Sequence, residues 1–211
     1  SRIPLGENRW AESADAIVVI GDESTSKGYR RVHSHVHMID NSVLETGPVD
    51  LGTKDFAAAR RHFLILCGAG LLRRGLDLAL EAFAVEEDLH LWVCGMLQAD
   101  HDQGFVRAFR KELFHTPNIH PLGWVDIYSA AFSRLTAECA FSVYPTCTEG
   151  ISGSVLNAMG RGMIPLVSSK AGISVDGFGW DLGDCSVSTI RSQIRQAAET
   201  SAADLRERAQ A

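Results

Sequence analysis

The 211-residue sequence contains no CxxC pair and no Cys/His spacing that fits a metal site. Its five cysteines, Cys67, Cys94, Cys139, Cys147 and Cys185, are widely spaced, odd in number and mostly set in apolar runs. This argues against a disulfide framework and for reduced structural thiols. Apolar runs reach only the length of a strand, too short to span a bilayer, and no basic-then-apolar segment opens the chain as a secretion signal would. Excess basic charge is also lacking: 20 Lys and Arg against 26 Asp and Glu give a net charge of -6. No overall field draws such a chain to nucleic acid or to an acidic membrane, so any anionic ligand has to be held locally. There is no internal repeat and no low-complexity segment. The expectation is a cytoplasmic protein, peripheral to a membrane at most, with no nucleic-acid partner. The chain begins without Met and in mid-pattern, which suggests a processed or truncated domain.

A hydrophobic content of 45% with 22% charged residues describes a globular chain and excludes disordered and fibrous classes. Its length allows one sizeable core with appendages and is short for two complete α/β domains. Residues 7–14 read as a helix, Ala16–Ile20 (AIVVI) as a buried strand and Thr25–Arg30 as a short helix. That is one βα step, too little to bury both faces of a sheet. Val32–Ile39 alternates as VHSHVHMI and places His33, His35 and His37 on one strand face. Three such histidines suit a metal, but no acidic or cysteine partner stands at ligand spacing, so a polar face on a linking strand is the preferred reading. A linker follows, with the turn signal Gly47-Pro48.

From His62 onward strand and helix alternate. The predicted strands are His62–Cys67, Leu89–Cys94, Asn118–Leu122, Cys139–Tyr144 and Met163–Ser168. Helices are expected over Arg74–Glu86, Gln103–His115, Ile127–Ala137 and Ser154–Arg161, then over Val187–Glu199 and Ala202–Ala211 after a Gly-rich stretch. Strands that read as unbroken apolar runs are covered on both faces, and helical crossovers make them parallel. The expected fold class is α/β, a doubly wound, Rossmann-like parallel sheet of five strands.

In such a sheet ligands sit at the carboxyl ends of the strands, which singles out three loops. The first, GAGLLRRG, carries Gly68, Gly70 and Gly75 with Arg73 and Arg74 at the start of a helix. It fails as a dinucleotide fingerprint, which needs glycine at position 73. It serves better as a phosphate site, since small residues admit the ligand to the backbone and guanidinium groups present forked donors. A solvated arginine pair is the other reading, although basic charge at a helix start slightly opposes the dipole. The second loop carries Trp124, which either stacks on a nucleobase or plugs a gap between helices. The third and most organised stretch, Pro145–Gly162 (PTCTEGISGSVLNAMGRG), sets Glu149 and Gly150 just before a helix that starts near Gly153 and Ser154. A carboxylate beside free helix-start amides can hold an anionic, hydroxyl-rich ligand.

Four segments in this order, RRGLDLALEAF, LHLWVCG, NIHPLGWV and CAFSVYPTCTEGISGSVLNAMGRGMIPLVSS, resemble the C-terminal domain of GT-B glycosyltransferases of the retaining, family 4-like group. The resemblance spans Phe63 to about Ser169, and residues 7–43 look like the tail of the N-terminal domain and its linker. It implies a remnant of the N-terminal domain over 1–40, a linker over 41–61, a Rossmann-like nucleotide-sugar-binding domain over 62–186 and C-terminal helices over 187–211. It also implies an NDP-sugar donor, no cofactor and no obligatory metal. Glu149 would hold donor sugar hydroxyls, with Gly150, Ile151, Ser152, Gly153 and Ser154 near the sugar and diphosphate. The family's second glutamate, which grips ribose, falls on Asn157, which can hydrogen-bond hydroxyls but brings no charge. The family's basic pair falls on Ala69 and Arg74, and Arg73 stands ready to compensate for the missing charge. Glu149 and Arg74 would be the catalytic pair. The acceptor, the N-terminal domain and a second copy of the chain are the other expected partners. A non-catalytic binding or scaffolding module derived from such an enzyme is the alternative, suggested by Asn157 and Ala69. An NAD-dependent oxidoreductase is disfavoured by Arg73 and by Cys94-Gly95 where an acidic residue is needed.

Overall fold

The computed structural model describes residues 9–21, 23–44 and 49–211. The chain runs α1 (Arg9–Ser13), β1 (Ile17–Ile20), α2 (Glu23–Tyr29) and β2 (Val36–Ile39), then α3 (Phe56–Ala59) and β3 (His62–Cys67). It continues through α4 (Leu76–Phe83), β4 (His90–Gly95), α5 (Gln103–Ala108), α6 (Arg110–His115), β5 (Ile119–Gly123) and α7 (Ala130–Glu138). The last elements are β6 (Phe141–Tyr144), α8 (Gly153–Met159), β7 (Ile164–Val167), β8 (Trp180–Asp181), α9 (Val187–Glu199) and α10 (Ala202–Arg208).

The main sheet has six strands in the order β5-β4-β3-β6-β7-β8, all pairs parallel. This is the doubly wound order in which chain direction across the sheet reverses between the first and fourth strands, here β3 and β6. The apolar runs explain the buried centre: β6 and β7 are buried at every residue, as strands covered on both faces must be. Phe63 anchors the core, stacked on Phe141 at 4.7 Å and edge-on to Phe83 at 5.1 Å. The C-terminal helices belong to the same core, through Ile190, Ile194 and Leu205, as does α3 through Phe56 and Ala59.

Several expectations change. A sixth strand, β8, forms inside the Gly-rich stretch, where Trp180 pairs with Leu166. The single helix expected over Gln103–His115 is two, α5 and α6, broken where Phe109 takes φ -101 and ψ 26. Its breakage lets Phe105 and Phe109 stack at 4.6 Å. The strand expected over Val32–Ile39 starts only at Val36, paired in parallel with β1. His33 and His35 therefore share no strand face with His37: the His33 ring meets the carbonyl oxygens of Ala14 at 2.8 Å and His35 at 3.0 Å, tying the two strand starts together. The Gly47-Pro48 turn lies outside the described residues.

Candidate active site

The reversal point between β3 and β6 is where the two most distinctive sequence loops meet. Gly68 to Gly75 leaves the end of β3, and Pro145 to Ser152 leaves the end of β6. Gly75 stands at φ 74, and a Cβ there would lie 2.1 Å from the carbonyl oxygen of Pro145, so only glycine lets the loops close on each other. The Arg73 carbonyl accepts from the Cys147 amide and the Thr146 hydroxyl, both at 3.1 Å, and the Ser168 hydroxyl at the end of β7 holds the Thr146 carbonyl at 2.6 Å. Ser152 caps α8, accepting from the Val155 amide at 3.5 Å.

This stitching brings Arg73, Arg74 and Glu149 together. Arg74 is ion-paired with Glu149 and donates through Nη1 to the Tyr144 hydroxyl at 2.6 Å. Arg73 donates to Glu149 Oε1 at 3.3 Å and to the Thr148 carbonyl at 3.1 Å. Tyr144 closes the group, its hydroxyl 3.5 Å from Glu149 Oε1. All three donors converge on Oε1, and among the described residues none donates to Oε2. Arg74 Nε is buried and has no protein acceptor. Arg60 Nε, at the other end of β3, is in the same state, so what singles out Arg74 is its place at the sheet's reversal point, where a guanidinium suits an anionic group.

Beside this cluster lies a cavity of about 410 Å³. Gly68, Trp124, Ser154 and Asn157 line it, together with Tyr128, Asp126 and an apolar floor that includes Cys67 and Cys94. Burial pushes both thiols up to about 12, so they stay protonated and act as apolar wall. Trp124 and Tyr128 are exposed at the rim. Of the sequence candidates, Arg73, Arg74 and Glu149 stand next to this cavity and do not line it, and Gly150, Ile151, Ser152 and Gly153 are absent from it. Gly150 is pressed against β1, where a Cβ would meet the Ile20 carbonyl at 2.1 Å, and the Ile151 carbonyl accepts from Asn41 at 3.0 Å. Ala69 sits exposed at the tip of its loop, and the Gly70 amide is spent on a carboxylate.

That carboxylate, Asp102, went unread in the sequence. It is buried in a short turn after β4 and accepts from the amides of Gly70 at 2.9 Å and Leu71 at 3.2 Å, fixing the arginine loop from below. Tyr144 was read only as the end of an apolar strand. Its available signal was a buried phenol at the carboxyl end of a strand, since a buried tyrosine hydroxyl requires a partner. The Asn157 Oδ1 accepts from the Leu44 amide at 3.0 Å, so one of its two acceptor positions is already taken.

Matches to solved structures agree with the topology. Anabaena HepE, solved with UDP and glucose, superposes with a TM-score of 0.73 at 14% identity, over 95% of this chain and 58% of that one. The fold is that of the C-terminal half of a GT-B glycosyltransferase. Two further GT-B structures match: WaaG, a glycosyltransferase of lipopolysaccharide biosynthesis, at TM-score 0.67 and 16% identity over 92% of this chain and 58% of WaaG; and starch synthase IV of Arabidopsis thaliana, bound to ADP and acarbose, at 0.67 and 14% over 93% and 51%. The chain thus spans only about half to three-fifths of these GT-B structures. No family model matches the sequence, and no curated protein matches it. Among the described residues no helix is long and apolar enough to cross a membrane.

Proposed function

We propose that this chain is the donor-binding half of a retaining GT-B glycosyltransferase of the cytoplasm, which moves a sugar from a nucleoside-diphosphate sugar to an acceptor held by an N-terminal domain. One observation carries the reading. Two arginines and a glutamate converge at the reversal point of a doubly wound sheet, with Arg74 Nε lacking a protein acceptor and Arg74 Nη2 reaching toward Gly68, which lines a cavity of about 410 Å³.

In this reading the base enters against Trp124 and Tyr128, and the Asn157 amide donates to a ribose hydroxyl. The diphosphate lies against Gly68 and Arg74, and Glu149 Oε2 accepts from sugar hydroxyls. As the glycosidic bond breaks, negative charge grows on the leaving diphosphate, and a cation already fixed in place stabilises that charge without reorganising. Arg74 and Arg73 supply the cations, so the reading needs no metal. Asn157 cannot replace the negative charge of a carboxylate at the ribose, and one side of its amide is already engaged with Leu44. Donor affinity is set mainly at the diphosphate as a result.

The test is thermal unfolding with UDP, ADP, GDP and their glucose or mannose conjugates. A donor at 100 times its dissociation constant stabilises the chain by about 2.7 kcal/mol. No shift with any of them sinks the reading. Glu149→Ala is expected to weaken binding of the sugar conjugate more than that of the bare diphosphate, and equal loss of both would remove Glu149 from the sugar. A second reading, a binding module that has lost catalysis, is favoured by the engagement of Asn157 with the linker residue Leu44. It predicts donor binding with no donor hydrolysis or transfer when the flanking domain is supplied.

A further inference from the structure

Tyr144 ends β6 with a side chain that is 1% exposed in a strand buried at every position. An apolar residue would fill that space, yet the phenol oxygen is placed where it meets both Arg74 and Glu149, an ion pair at the sheet's reversal point. It accepts from Arg74 Nη1 at 2.6 Å and lies 3.5 Å from Glu149 Oε1. The aromatic ring itself supports the guanidinium, whose carbon stands 5.9 Å from the ring centre. Burial holds the phenol's pKa above its ordinary range against the pull of Arg74, so the hydroxyl remains neutral and can accept from one partner while donating to the other.

The consequence lies in which edge of Arg74 is used. Tyr144 and Glu149 both engage Nη1. The opposite edge, Nε with Nη2, is directed to the loop after β3: Nη2 stands 4.0 Å from where a Gly68 Cβ would be, and Nε has no acceptor. That edge is the one whose two parallel N–H groups match two oxygens of one phosphate. A guanidinium free to rotate would present any edge, and one pinned at Nη1 presents this one. Likewise, Glu149 Oε1 is occupied by Arg73, Arg74 and Tyr144, and among the described residues Oε2 has no donor.

Resting on the donor-binding reading above, we propose that Tyr144 is a positioning residue for the donor: its hydroxyl fixes Arg74 so that the Nε–Nη2 edge meets the diphosphate, and holds Glu149 with one oxygen free for the sugar. Tyr144 touches neither ligand group and acts through Arg74 and Glu149.

Calorimetry on the full chain tests this with three probes: the tightest-binding sugar nucleotide of the panel, its nucleoside diphosphate and its nucleoside. Tyr144→Phe is expected to weaken the first two about tenfold, the loss of one hydrogen bond to a charged group, and to leave the nucleoside unchanged. Tyr144→Met, which fills the space without a ring or a hydroxyl, is expected to show the same pattern, so that a ring-packing fault is told apart from loss of the hydroxyl. In an Arg74→Ala background Tyr144→Phe is expected to cost nothing further for the diphosphate, because the two residues act as one unit. Unchanged affinity for the diphosphate, equal weakening of the nucleoside, or full additivity with Arg74→Ala would each overturn the proposal. Wild-type chain that binds none of the three probes sinks the donor-binding reading, and this inference with it.

Discussion

At the C-terminal end of the six-stranded sheet, Arg74 keeps a buried nitrogen without a protein acceptor. At the N-terminal end, Lys54 spends its ammonium group on the carbonyl oxygens of Thr136 at 2.8 Å and Gly162 at 3.2 Å, with its charge 5.3 Å from the Phe56 ring centre. Both cations are held among loops that join the same strands, and Lys54 is the more buried, at 7% exposure. Bonding state separates them where burial does not. The lysine is satisfied within the protein and pins the last turn of α7 to the turn after α8, whereas the arginine keeps one nitrogen without a protein acceptor.

The largest expected effect falls at the open end. Arg74→Ala removes the guanidinium at the centre of the cluster and should weaken nucleoside diphosphate binding about a hundredfold, the range found for fixed groups that meet a charged ligand. Global stability should change little, because Tyr144 and Glu149 keep each other and Arg73. Titration of the diphosphate and denaturant unfolding of the same protein separate the two quantities. A variant that unfolds easily but binds normally would reverse the contrast between the ends.

Lys54→Met sharpens it from the other side. Thr136 and Gly162 lose their donor, at a cost of about 1–3 kcal/mol of stability, while diphosphate affinity stays at the wild-type level. The pH dependence gives a second reading of the same residue. Burial lowers the Lys54 pKa from 10.5 to about 8. The unfolded chain therefore holds that proton more tightly, and wild-type stability gains up to about 3 kcal/mol from this group as pH rises from 8 to 10.5. Buried thiols act in the opposite sense: Cys67 and Cys94, raised from 9.0 to about 12, favour unfolding as pH climbs past 9. They are common to both proteins and cancel in the difference between wild type and Lys54→Met. A flat difference curve from pH 8 to 10 would show that Lys54 is not buried as a cation.

The same contrast explains what the sequence could reveal. Strand-sized apolar runs and the glycines at 68, 70 and 75 are local signals, and they were sufficient for five of the six strands and for the two loops that form the site. Strand β8 is two residues long among glycines and depends on pairing with β7, so no local pattern marks it. Arg73, Arg74 and Glu149 were readable because their residue types are unusual at a helix start or a loop. Tyr144, Asp102 and Asn157 were not read in their structural roles, since each is defined by a partner distant in sequence. Tyr144 meets Arg74 across 70 residues, Asp102 meets Gly70 across 32, and Asn157 meets Leu44 across 113. Composition identifies a charged residue, but only the folded chain shows whether its bonds are closed.

The smallest effect belongs to a row of histidines at the closed end. His62, His90 and His120 stack across β3, β4 and β5 with ring centres 4.8 and 5.3 Å apart, and His90 Nδ1 lies 3.1 Å from His120 Nε2. The Trp92 indole donates to His62 Nδ1 at 3.2 Å, which requires that nitrogen to be unprotonated. Burial, then the neighbouring His90, lowers the pKa of both His62 and His120 below the ordinary 6.5, with Glu138 partly offsetting this at His62. For a base whose folded pKa is depressed, the unfolded chain takes the proton first. The histidine row therefore costs no stability above pH 6.5, and stability is lost as pH falls below it toward the folded pKa values. His62→Phe keeps a ring in the stack and removes one titrating group, so its denaturant midpoint should fall less steeply than wild type between pH 7 and 5. The terminal phosphate of a bare nucleoside diphosphate takes up a proton at about pH 6, so the sugar nucleotide, a diphosphate diester without that group, is the probe, and any loss of its affinity in wild type should follow the unfolded fraction alone. An affinity that falls while the chain remains folded would mean that the two ends of the sheet are coupled, and would break the division between a closed, structural end and an open, ligand-binding one.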